Sequence, residues 1–191
     1  MSENRHDIFN IPNILSMIRL LMIPVTVAFI INDRLLWGLA VFILAELTDL
    51  VDGYIARRFN MITKLGAWLD PLADKLMAIS VLICMTAKGI VPLVVMIIVM
   101  SKELLMIIGG FIVVKKGYST TANIYGKIAG LVLNLAIGSG FMHFIWAPWD
   151  QYAMYFACVV VLVAFIQYAV KNIRIIIGGG KKDGGGESGD K

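Results

Sequence analysis

Residues 49–74 read DLVDGYIARRFNMITKLGAWLDPLAD. They set four aspartates, Asp49, Asp52, Asp70 and Asp74, on the two sides of a short basic link. The chain around them is strongly apolar. Of its 191 residues 59% are hydrophobic, and the mean hydropathy is +0.83; an ordinary soluble domain is about 45–50% apolar. These proportions point to an all-α integral membrane protein. In that setting a lone carboxylate is expensive unless it is paired or holds a cation. The reading of the fold therefore turns on where the four carboxylates lie relative to the spans.

About 20 mostly apolar residues cross a bilayer as a helix. Six transmembrane helices are expected, over 11–31, 35–56, 66–87, 90–114, 122–146 and 152–175, with the acids in the second and third. Arg5, Arg57, Arg58, Lys64, Lys115, Lys116, Lys171, Arg174, Lys181 and Lys182 fall on one set of connections, and Arg34 and Lys88 on the other. The positive-inside rule then places both termini in the cytoplasm, which an even number of spans satisfies. The segment SENRHDIFN can lie along the interface as an N-terminal helix, with Ile8 and Phe9 dipping in. Residues 1–177 form one membrane domain. The Gly/Lys-rich tail 178–191 has the composition of a disordered cytoplasmic segment. The start of the chain shows no cleavable signal pattern. Cys84 and Cys158 lie within apolar runs and read as small hydrophobes. No basic tract interleaved with aromatics suggests nucleic acid.

Measured from a loop centre between Met61 and Ile62, Asp49 and Asp74 are equally distant, and Asp52 and Asp70 nearly so. In an antiparallel helix pair the four acids would form two level pairs. At 100° per residue, Asp49, Asp52, Gly53 and Ala56 share one helical face of about 100°; Gly66, Asp70 and Asp74 step by four along another. Glycines beside acids let a ligand approach closely. Such hard oxygen donors suit Mg2+, Mn2+ or Ca2+, with no His or Cys nearby to favour zinc. Two divalent ions about 3.5–4 Å apart would serve phosphoryl displacement. Arg57 would add a fork of donors for a phosphate, and Asp74 is the candidate general base.

The spacing Asp49-x2-Asp52-Gly53-x2-Ala56-Arg57-x8-Gly66-x3-Asp70-x3-Asp74 resembles the signature of the CDP-alcohol phosphotransferases at all eight of its fixed positions. The likeness runs from about Phe9 to Gly130, through NIPNILSMIRL, DPLADK and the pair Gly126-Lys127. It implies a six-helix, multi-pass protein of the cytoplasmic membrane, homodimeric, with its active site facing the cytoplasm. It implies CDP-diacylglycerol as donor, release of CMP, and Mg2+ or Mn2+ as cofactor. Asp49, Asp52 and Asp70 would be metal ligands, and Asp74 both ligand and base. Gly53, Ala56, Arg57 and Gly66 would contact the cytidine diphosphate, with Thr63, Asn13 and Ser16 as further polar contacts.

Within the family the chain is most like members whose acceptor is glycerol 3-phosphate, giving phosphatidylglycerophosphate. That phosphate-bearing alcohol needs cations, for which Lys102 and Lys127 are the candidates, with Lys115 and Lys116 at the rim. Lys102 beside Glu103 can equally be a neutralising ion pair. Many such members carry another arginine where this chain has Gly109 and Gly110. Glycines there resemble the branch that uses phosphatidylglycerol to make cardiolipin, which is the alternative. A cation transporter or channel would also bury acids, but these cluster at one depth. His6 and His143 have no partner at ligand spacing. Trp37, Trp146 and Trp149 suit the outer interface.

Overall fold

A computed structural model describes residues 11–58, 64–115 and 124–177. The described residues form helices α1 Ile11–Ile31, α2 Leu35–Arg58, α3 Lys64–Ala87, α4 Leu93–Lys115, α5 Ile124–Gly140, α6 His143–Trp146 and α7 Trp149–Ile177. Among them there is no strand. The expected interfacial helix before α1, Thr63, Lys116 and the tail from residue 178 lie outside the described residues.

Local chemistry sets the boundaries. After α1, Asp33 adopts a left-handed φ of 59°, which Asp tolerates better than most residues. Its N–H donates to Ile30 O and that of Arg34 to Phe29 O, closing a Schellman turn. Gly89, with φ 74°, ends α3 in the same way: its N–H reaches Thr86 O, and the Ile90 N–H reaches Met85 O. Pro92 cannot continue a helix from its own N–H, so α4 begins at Leu93 rather than Ile90. The fifth expected span is divided. Gly138-Ser139-Gly140 weakens the helix, the Ser139 hydroxyl donates back to Ala136 O at 2.7 Å, and α6 follows as one separate turn.

The arrangement differs from a simple α2–α3 hairpin. α1 packs along both α2 and α3, while α2 and α3 touch only briefly; α7 packs against α5 and α4. The core between these groups is apolar, with Met77, Val81, Leu82, Val95, Ile137 and Phe141 buried. Gly38 on α2 admits Phe141: a Cβ at that position would lie 2.9 Å from Phe141 Cε1. The Phe141 ring also packs on Phe42 at 5.6 Å between centroids.

Polarity is inverted relative to a water-soluble bundle. Leu21, Leu50, Leu135 and Ile107 point outward, each more than 60% exposed, while Asn13, Ser16, Arg19 and Asp52 are buried. Apolar surface on this scale is untenable in water and matches a bilayer. Asn13–Ile31 and Trp149–Lys171 are each long and apolar enough to cross a membrane. The described fold is all-helical and consistent with a membrane protein.

Candidate active site

The site begins on α1. Asn13, Ser16 and Arg19 recur every third residue, so they lie within about 120° of one helical face. All three are buried, because that face meets α2 and α3. Arg19 reaches between the signature acids: its Nη1 lies 2.6 Å from Asp49 Oδ1 and its Nη2 2.5 Å from Asp52 Oδ2. The Ser16 hydroxyl donates to Asp70 Oδ1. Asp52 is fully buried, whereas Asp49 is 39% exposed.

The acids lie within electrostatic range of one another across the helices: Asp74 interacts with Asp49, and Asp52 with both Asp70 and Asp49. Two further polar residues enter from outside the signature. Asn134 on α5 donates to Glu46 Oε2 at 2.7 Å. Glu46 in turn feels Asp74, Asp49 and Arg19. One amide thus ties α2 to α5. Gly66 is buried and Gly53 half-buried near the acids on their helices. The side chains of Ala56 and Arg57 lie outside the described residues.

Asp74 also lines a cavity of about 530 Å³ between α3, α4, α5 and α7. Lys75, Lys102, Glu103, Lys127 and Asn134 share its wall, with Val99, Met106, Leu133 and Phe165 among its apolar lining. Glu103 is held by both Lys75 and Lys102. The Lys102–Glu103 ion pair is therefore real, and Lys75 joins it. The triad keeps one net positive charge, and Lys127 adds another on α5.

Three features of the site went unread in the sequence. Arg19, Glu46 and Asn134 each had one available signal, a polar residue inside an apolar span, which is usually functional. For Arg19 there was a second, its three-residue step from Asn13 and Ser16. α1 packs against both α2 and α3 and brings Asn13, Ser16 and Arg19 to the acids. Away from the site, His143 does have a partner: its Nδ1 lies 2.6 Å from Asp150 Oδ2 across the α6–α7 turn.

As a donor set, Asp49, Asp52, Asp70 and Asp74 suit a hard divalent cation. Their side chains do not form a ready cage, however. Among the described residues no three acidic, His or Cys side chains converge as metal ligands would. Arg19 and Ser16 hold three of the four acids. The chemistry of the donors fits a divalent ion, while Arg19 occupies the space between Asp49 and Asp52.

Of the four signature acids, Asp74 is the one that also lines the lysine-bearing cavity. The comparisons give the family: the chain belongs to the CDP-alcohol phosphatidyltransferases, whose profile matches residues 9–166. It is 27% identical to the CDP-diacylglycerol--glycerol-3-phosphate 3-phosphatidyltransferase of Aquifex aeolicus, across 87% of this chain and 98% of the relative. The protein of the same name from Bacillus subtilis is 29% identical, across 86% and 95%. The cardiolipin synthase (CMP-forming) of Streptomyces coelicolor is 34% identical, across 71% and 69%.

Proposed function

We propose that this protein transfers the phosphatidyl group of CDP-diacylglycerol to glycerol 3-phosphate, giving phosphatidylglycerophosphate and CMP. The observation that carries the reading is the position of Asp74. It belongs both to the acid pocket and to the cavity wall that presents Lys75, Lys102 and Lys127. A base and a set of phosphate-binding cations thus border one space. Relatives that bear the name of this activity, matched over nearly their whole length, support it.

The residues divide the work. Gly53, Ala56 and Gly66 carry little or no side chain, letting the cytidine diphosphate approach the helix backbones. Arg57, Thr63, Asn13 and Ser16 offer donors to it. Lys102 and Lys127, with Lys75, bind the acceptor's phosphate as point charges. Asp74 takes the proton of the acceptor hydroxyl. The freed oxygen attacks the phosphorus that bears diacylglycerol, and the bond from that phosphorus to CMP breaks. Asp49, Asp52, Asp70 and Asp74 would hold Mg2+ or Mn2+, two ions in this reading, to supply positive charge beside the diphosphate.

The same reading places the protein in the cell membrane with six spans, both termini and the site in the cytoplasm, and residues 1–177 as one domain followed by a solvated tail. The support is the lysine and arginine distribution. A homodimer is part of the proposal. Phosphatidylglycerol as acceptor is the second reading, favoured by Gly109 and Gly110, by the apolar part of the cavity wall and by the Streptomyces relative. To test both, purified protein is given CDP-diacylglycerol and Mg2+ with glycerol 3-phosphate, phosphatidylglycerol, inositol phosphate or serine, and CMP is measured. Release with glycerol 3-phosphate is expected. Release with phosphatidylglycerol alone would transfer the assignment to the second reading.

A further inference from the structure

Arg19 has an unusual position for a structural arginine. It is 2% exposed and set among acids, yet its Nε and Nη1 have no hydrogen-bond partner of good geometry. A guanidinium offers five donors in a fixed fork, and leaving some unmet in a dry site is costly. Charge therefore holds this side chain more than geometry does. Its two ion-pair partners, Asp49 and Asp52, belong to the signature.

The local charges do not balance. Asp49 and Asp52 pair with Arg19, and Asp70 is held by Ser16 on the same face of α1, so three carboxylates share one guanidinium; the next cation along α3 is Lys75, beside Asp74. Lys75 is itself shared with Glu103. The pocket thus keeps a surplus of carboxylate, which in a low-dielectric interior draws in further positive charge. A divalent ion bound through Asp49 and Asp52 would lie within a few ångströms of the guanidinium. At that range like charges repel strongly, so both cannot hold the same two carboxylates.

We propose that Arg19 is a resident counter-cation: it neutralises Asp49 and Asp52 until a divalent ion arrives, and it must release them for that ion to bind. Arg19 then weakens cation affinity while stabilising the empty pocket. This rests on the reading that the acid pocket takes a divalent ion, and the test separates the two. The full chain in detergent is titrated with Mn2+ alone, and free Mn2+ is followed by electron paramagnetic resonance; thermal unfolding is recorded with and without the ion.

Arg19→Gln is expected to bind Mn2+ about tenfold or more tightly than wild type, to unfold at a lower temperature without Mn2+, and to gain more from it. Arg19→Lys keeps one charge but cannot bridge both acids, so its affinity should fall between the two. Should Arg19→Gln fail to fold, Arg19→Lys against wild type decides. Equal or weaker Mn2+ binding by the Arg19 variants overturns the proposal while leaving the metal site intact. Wild type that shows no saturable Mn2+ binding, or binding that persists in Asp52→Asn, overturns the metal-site reading and this inference with it.

Discussion

Lys102 offers the sharpest test of the acceptor site. The side chain is 13% exposed and pairs with Glu103, which keeps Lys75 as a second partner. Lys102→Met therefore strands no buried carboxylate, and the methionine fills much of the space of the lysine stem. What changes is charge: the triad falls from one net positive charge to none. A hydrogen bond to a charged group contributes about 1.5–3 kcal/mol, and each 1.4 kcal/mol is about a factor of ten. The KM for glycerol 3-phosphate is expected to rise about 10–150-fold, with kcat changed only a few-fold and the KM for CDP-diacylglycerol unmoved. The assay is CMP release by purified protein across a glycerol 3-phosphate series at saturating donor lipid. An unchanged KM for glycerol 3-phosphate would refute the reasoning. It would mean that Lys102 serves only to neutralise Glu103.

Other perturbations probe the rest of the account. Asp74→Asn removes the proposed base and a carboxylate repelled by Asp49 and Glu46; CMP release is expected to fall by at least about 100–10,000-fold, with a melting temperature no lower than wild type. Retention of a tenth of the wild-type rate would dismiss Asp74 as the base. Gly38→Ala forces a Cβ to 2.9 Å from the buried Phe141 ring. It is expected to destabilise the fold by about 1–3 kcal/mol, as overpacking does, which thermal unfolding would register; a neutral result would show that the ring shifts freely. Chelation by EDTA is expected to abolish CMP release reversibly, Mg2+ or Mn2+ restoring it, and full activity in EDTA would contradict a metal-dependent site.

Much of this was legible in the sequence, and the gaps have physical causes. Apolar runs mark helices because a span needs a stretch of fixed length, and α1, α2, α3 and α4 start and stop within a few residues of expectation. The break between α5 and α6 depends on Gly138-Ser139-Gly140, whose cost is small enough for packing to decide. Equal distance to a turn suggested that Asp49 lies level with Asp74 and Asp52 with Asp70. What equal distance could not reveal is that α1 stands between α2 and α3, since hydropathy says nothing about which helix neighbours which. Arg19 was missed for that reason. Its partners became visible only once α1 was placed. Glu46 and Asn134 were missed similarly: each is a lone polar residue, and their contact joins positions 88 apart in the chain.

The stoichiometry of one reaction is the most direct test of the site. With CDP-diacylglycerol, glycerol 3-phosphate and Mg2+, the purified wild-type chain is expected to form one phosphatidylglycerophosphate for each CMP released, and the folded Asp74→Asn chain almost none of either. CMP released at the same rate without any acceptor alcohol, or undiminished in Asp74→Asn, would contradict the claim that Asp74 joins the acid pocket to the lysine-lined cavity in a single active site.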